Sequence, residues 1–135
     1  MTIAEKKEYL RDFRRLGKEI TVETEECARL RSLIQKITPT WSDMPKGSGE
    51  NDQLAQRIEK LIEIEQATNS DIDRYIDRRL EVAAAIRAIN DSTMRTVMFL
   101  YYVCGKTWEQ VAEKINYSYM QVCRFHGKAL EEIML

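Results

Sequence analysis

The chain has 135 residues, of which 44% are hydrophobic and 32% charged, with five glycines and only two prolines. That is the composition of a soluble, helix-rich protein, and it excludes collagen-like, low-complexity and disordered classes. The formal net charge is −1, with nine basic and seven acidic side chains over residues 1–36, seven and ten over 37–90, and five and five over 91–135; no stretch is basic enough to announce nucleic acid by charge alone.

The chain opens MTIAEKKEYL, with charge where a secretory signal carries its apolar region, so a cytoplasmic protein is expected. Thr2 and Glu5 have the spacing of a capping box. Phe13, Ile20, Cys27 and Ile34 form a seven-residue series. Tyr9, Leu16, Leu30 and Ile37 form a second series offset by three and interrupted only by Glu23. Such an a/d seam predicts one helix over residues 3–37, roughly 50 Å long. Gly17 weakens that helix but lies beside the seam.

Breakers cluster from Thr38 to Gly49, where both prolines and two of the glycines fall. Trp41 and Met44 are apolar in this connection, and either close the end of a hairpin or meet a partner. The stretch Lys46-Gly47-Ser48-Gly49 is expected to be mobile. A second helix is predicted from about Asn51 to Ala88, with Ile58, Ile62, Ile72, Ile76, Leu80, Ala83 and Ile86 on its apolar face. Glu65 and Asn69 interrupt that face; they either meet solvent at its edge or set the register of an assembly. Two long helices joined by one loop run antiparallel. Two stripes make a thin core, which points to a homo-oligomer, a dimer or a higher even oligomer, assembled mainly by residues 1–90.

Residues 91–135 read as helix, short helix, turn, helix. Asp91 is placed as the N-cap of a helix through Cys104, and Gly105 as its end. The run Val97 to Cys104 is the longest apolar one and too short to cross a bilayer, so no membrane is expected. Thr107-Trp108-Glu109-Gln110 and Ser118-Tyr119-Met120-Gln121 are two further capping boxes. Between them Asn116 tolerates the left-handed backbone of a tight turn. A helix-turn-helix needs a small crossing residue, such a turn and apolar locks on its second helix. Ala112, Asn116 and the set Val122, Phe125, Ala129, Leu130 and Ile133 supply them, with Val111 and Ile115 on the first helix and Tyr117 turned into the core. The plain alternative is a three-helix bundle that never touches DNA.

If the motif reads DNA, its second helix presents Tyr119, Met120, Gln121, Arg124 and Lys128 to the major groove. Gln121 suits adenine and Arg124 guanine, while Tyr119 and Met120 suit thymine methyls. Ser118, Thr107 and Lys106 are placed for phosphates, although capping alone explains Ser118 and Thr107. Lys128 either meets a phosphate or is simply solvated. Trp108 is expected on the outer edge of the motif and His126 at its rim. Cys27, Cys104 and Cys123 are odd in number and form no CxxC pair, and His126 is the single histidine. Neither a disulfide framework nor a metal site is expected. No phosphate loop, dinucleotide fingerprint or hydrolase motif occurs, so no enzyme and no cofactor are expected.

From Met94-Arg95 to Ile133, with Thr107-Trp108-Glu109-Gln110-Val111-Ala112, Ser118, Val122 and Lys128-Ala129-Leu130, the chain resembles sigma factor region 4, a four-helix module that binds promoter DNA. The whole chain is similar to small phage and prophage regulators of Gram-positive bacteria, a family long classed as a domain of unknown function. The wider likeness rests on Met44-Pro45-Lys46-Gly47-Ser48-Gly49, on Asn69-Ser70-Asp71-Ile72-Asp73-Arg74 and on the run from Gln121 to Leu130. It implies an all-α chain with a long antiparallel hairpin over 1–90 and a DNA-binding module over 91–135. It further implies sequence-specific binding of double-stranded DNA in transcriptional control, and leaves contact with RNA polymerase open. Tyr119, Met120 and Gln121 stand where sigma region 4 usually carries arginines and glutamates, so its DNA specificity does not carry over. Two other functions stay open: a DNA-packaging recognition subunit of the small-terminase kind, and an adaptor that contacts RNA polymerase without reading DNA.

Overall fold

The computed structural model describes residues 1–42 and 48–135, with side chains for 1–36 and 52–135. Met44, Lys46 and Gly47 lie outside the described residues, as do the side chains of Ile37 and Trp41, whereas Ser48 and Gly49, expected in the connection, open α2. The elements are α1 (Ile3–Ser42), α2 (Ser48–Arg87), α3 (Ser92–Met98), α4 (Trp108–Ile115) and α5 (Tyr119–Glu132), with α3 continuing as a π-helical turn over Phe99–Val103. No strand occurs among the described residues, and the chain is all-α. Among the same residues no helix is long and apolar enough to cross a membrane.

The capping box at the start of α1 forms as expected: Thr2 Oγ1 accepts from the Glu5 amide at 3.2 Å and Glu5 Oε2 from the Thr2 amide at 3.1 Å. The helix runs past Ile37 and through Pro39 to Ser42. Proline removes one ladder hydrogen bond, but its fixed φ near about −65° is itself helical, so the breaker cluster stops the helix later than expected.

The chain packs as two compact units, Met1–Lys18 with Arg74–Leu135, and Glu19–Asp73. Their limits do not follow a division at residue 90, because the start of α1 and the end of α2 share a core with the C-terminal helices. In that first unit Leu10 and Phe13 are fully buried together with Val82, Ile86, Met98, Tyr102, Leu130 and Ile133. The two long helices run antiparallel here, the Tyr9 hydroxyl reaching Glu81 at 3.4 Å and the Phe13 ring stacking on Tyr75 at 5.2 Å. Gly17 is more than a weak spot, since a Cβ there would lie 3.0 Å from the Tyr75 hydroxyl. The absent side chain lets the ring lie against the helix.

The second unit is poorer in apolar contacts. Ile20, Leu54 and Leu61 are its buried hydrophobic residues among those described. Polar pairs tie α1 to α2, again antiparallel: Cys27 Sγ lies 3.5 Å from the Thr68 hydroxyl, and Arg31 donates twice to Glu65 Oε1, at 2.7 and 3.0 Å. Glu65, expected as a stripe interruption, is thus half-buried and ion-paired. The Glu23 carboxyl is held above its usual value by desolvation and by the facing Asp71 carboxylate.

The apolar face read for α2 needs correction. Its inward series is Leu54, Leu61, Thr68, Tyr75 and Val82, a seven-residue repeat whose middle members are polar or half-buried and which Ile89 continues past the helix end; of the residues read for that face, Ile86 is buried as expected. Ile62, Ile76 and Leu80 are exposed instead, at 46%, 46% and 66%. Apolarity alone favoured the isoleucines, while packing opposite Cys27 and Phe13 selects Thr68 and Tyr75.

The shared core sets an expectation for stability. Phe13→Ala should cost about 3–5 kcal/mol in urea unfolding. A fragment limited to residues 91–135 should show no cooperative melt, because Leu10, Phe13, Val82 and Ile86 are missing from its core; a cooperative transition would show the module to be autonomous.

Candidate nucleic-acid interface

The C-terminal helices are set by local chemistry. Asp91 caps α3, its side chain accepting from the Thr93 and Met94 amides at 2.8 and 3.0 Å. Arg95 turns back to the carbonyls of Ile89 and Asn90 at 2.6 and 2.9 Å. The expected single helix through Cys104 widens into a π turn, closed by the Cys104 amide on the Phe99 carbonyl at 3.0 Å. This turn serves two cores: Met98, Tyr102 and Val103 face Leu10 and Phe13, whereas Val97 and Leu100 face α4 and α5. Gly105 then takes φ +73°, and the Lys106 amide returns to the Leu100 carbonyl at 3.0 Å. That is the left-handed helix end expected of this glycine.

Both capping boxes of the motif are reciprocal. Thr107 Oγ1 accepts from the Gln110 amide at 3.2 Å, and Gln110 Oε1 from the Thr107 amide at 3.0 Å. Ser118 and Gln121 repeat the arrangement at 3.2 and 3.0 Å. Asn116 occupies the left-handed region at φ 60°, ψ 40°, as expected of the turn. Val111 and Val122 are fully buried against Val97 and Leu100, with Ala112, Ile115 and Phe125 packed around them. Tyr117 does not plug the core; it is 40% exposed and lies edge-on against Phe125 at 5.1 Å.

The site residues fall on two surfaces of this frame. On α5, Tyr119, Met120, Gln121, Arg124 and Lys128 are exposed, and so is Cys123 between them. The Tyr119 phenol is held above its ordinary value, first by Cys123 and then by desolvation. At the entry to the two helices, Lys106, Thr107 and Ser118 are exposed as well. Gln121 carries a constraint that spacing alone did not reveal. Its Oε1 already accepts from the Ser118 amide and, at 3.2 Å, from the Ser118 hydroxyl. A bidentate contact to adenine needs that oxygen as acceptor, so reading and capping compete for the same lone pairs.

Trp108 packs at the edge of the motif as expected, whereas His126 sits deeper than the rim. Trp108 is half-buried and lies flat on Tyr101, with ring centroids 3.6 Å apart, and tilts against His126 at 4.6 Å. His126 is a buried residue at 8% exposure, its Nε2 2.6 Å from the Tyr102 hydroxyl. Burial, then the positive Lys7 and Arg11, lowers its pKa to about 4, so the ring is neutral near pH 7. Burial likewise pushes the Tyr102 phenol well above its ordinary value. Sequence reasoning placed His126 at the rim because its partner lies on α3's extension, not on its own helix. It also missed Arg14, whose guanidinium lies over Tyr101 at 4.2 Å. The partner is distant in the chain, and no local pattern marks it.

Residues 36–133 match the family described as "Protein of unknown function (DUF1492)", and the chain belongs to that family. No curated protein and no solved structure matches it.

His126 gives a pH dependence of definite sign. Its folded pKa, about 4, lies below the ordinary 6.5. The neutral ring therefore stabilises the fold above about pH 6.5, and that contribution is lost as pH falls toward 4. The full shift corresponds to roughly 3 kcal/mol. Melting temperatures of wild type and His126→Gln should converge on going from pH 7 to pH 4; a constant gap would exclude this linkage.

Proposed function

We propose that this DUF1492 chain is a sequence-specific, double-stranded-DNA-binding regulator of transcription, of the phage and prophage kind, acting in the cytoplasm of the bacterial host with α5 as its reading helix. The observation that carries the reading is the arrangement at Asn116. A left-handed turn flanked by two reciprocal capping boxes holds α5 by Val122 and leaves Met120, Arg124 and Lys128 uncovered. A helix-turn-helix presents its second helix to the major groove in this way. The resemblance of residues 94–133 to sigma region 4 supports the same reading. In it, Arg124 meets a base edge, Lys128 a phosphate, and Lys106, Thr107 and Ser118 the backbone at the two helix N-termini.

The reading includes a homodimer formed mainly through the long helices. The Glu19–Asp73 unit buries only Ile20, Leu54 and Leu61 among its described hydrophobic residues, while Val22, Leu33, Ile62 and Ile64 stay exposed. A second copy would cover such side chains and double the number of DNA contacts. Sedimentation at micromolar concentration should show a dimer; a stable monomer removes this part of the proposal.

Arg124→Ala should cost about 1–3 kcal/mol on the preferred site and relax the choice at one base pair. Lys128→Ala should weaken preferred and random DNA alike and lower the salt slope by roughly one unit. Neither side chain is buried, so melting should barely move. Val122→Asp is the contrast, since it places a charge in the core and should unfold the motif. If both surface variants bind DNA like wild type, α5 does not read it, and the polymerase-adaptor function takes its place.

A further inference from the structure

We infer that Arg14, on α1 and far from the helix-turn-helix in sequence, is a positioning residue for the loop that opens α4, holding it through the carbonyls of Tyr101, Gly105 and Lys106. Its Nε donates to the Tyr101 carbonyl at 3.0 Å, and its Nη2 donates to Lys106 at 3.1 Å and, at the longer distance of 3.5 Å, to Gly105. The guanidinium also lies over the Tyr101 ring, 4.2 Å from its centroid, and the same ring carries the Trp108 indole. One fork thus grips Tyr101 in α3's extension, the left-handed Gly105 and Lys106, the residue before the N-cap of α4.

The physical need is plain. A helix C-terminus leaves carbonyls without partners, and here the following loop adds those of Gly105 and Lys106. A planar, permanently charged fork can serve several of them at fixed angles. Lysine carries the same charge without the fork. The loop in question bears Lys106 and Thr107, which the proposed function sets against the DNA backbone. The consequence for DNA rests on that reading, whereas the ordering of the loop does not. Arg14 lies outside residues 36–133, so the family match does not reach it.

The test compares wild type, Arg14→Ala and Arg14→Lys in the full chain by amide hydrogen exchange and by DNA titration at two salt concentrations. Both variants should speed exchange at the Cys104 and Lys106 amides by about tenfold or more, while the Val122 and Ile133 amides keep their protection. A merely structural arginine would instead loosen all four together, which overturns the inference. So would unchanged exchange at Lys106, or full restoration by lysine, which would reduce the role to charge. On DNA, both variants should lose affinity about three- to tenfold with the salt slope retained, because the fork orders the loop and meets no phosphate itself. A slope lowered by about one unit in Arg14→Ala, restored by lysine, would make Arg14 a direct phosphate contact and overturn the positioning role. Should Arg14→Ala fail to fold, Arg14→Lys carries both comparisons. If wild type binds no DNA, the proposed function falls, and the exchange data still decide whether Arg14 sets the loop.

Discussion

The burial of Leu10 and Phe13 against the C-terminal helices is the contact on which the first unit depends. Both side chains are fully buried, in one core with Val82, Ile86, Met98, Tyr102, Leu130 and Ile133. Each such side chain contributes about 1.5–3 kcal/mol when removed from water. Four of them come from α1 and α2, and their sum is comparable to the whole stability of a typical domain, about 5–15 kcal/mol. The segment that holds α4 and α5 is therefore one face of a larger unit. The π turn follows from the same constraint. Residues 97–103 must supply side chains to this core and to the core beneath α4 and α5, and a wider turn spreads them over both.

On that frame the geometry of α4 and α5 is set by short-range chemistry. Thr107 and Ser118 each exchange hydrogen bonds with the residue three further on, and Asn116 takes the left-handed backbone between them. These features involve residues a few positions apart, and for that reason they were legible in the sequence down to the individual cap. The same holds for Asp91, Gly105 and the Thr2–Glu5 box. The price of local legibility shows at Gln121: spacing identified it both as a cap and as a base reader, and only the geometry shows that its oxygen is already engaged twice.

What the sequence concealed is non-local. The inward face of α2 passes through Thr68 and Tyr75, residues that hydropathy does not assign to a core. Thr68 is buried because Cys27 offers its hydroxyl a partner, and Tyr75 is half-buried because Phe13 and Gly17 leave room for a flat ring. Each reason lies on the other helix. His126 is similar, a polar side chain that becomes acceptable in the interior once the Tyr102 hydroxyl meets it. Arg14 is the extreme case, since its three carbonyl partners lie 87 to 92 residues away. Periodicity can say that a helix has an inner face, but the partner decides which residues form it.

Electrostatics then constrains how such a module would hold DNA. Residues 91–135 carry five basic and five acidic side chains. One of the five cations, Arg95, is turned onto the carbonyls of Ile89 and Asn90. That leaves Lys106, Lys114, Arg124 and Lys128 to face phosphates, with Glu109 and Glu113 on α4 working against them. Non-specific affinity grows with the number of phosphates neutralised, so a single copy has little of it to spend on searching or holding. On the proposed reading, discrimination comes from side-chain contacts of Arg124 and from Tyr119 and Met120, whose exposure of 50% and 67% leaves apolar surface available to base methyls. On the same reading, affinity comes from joining two such weak readers, because the effective concentration of the second supplies what charge does not. The spacing between two half-sites would then carry specificity that neither reading helix holds alone.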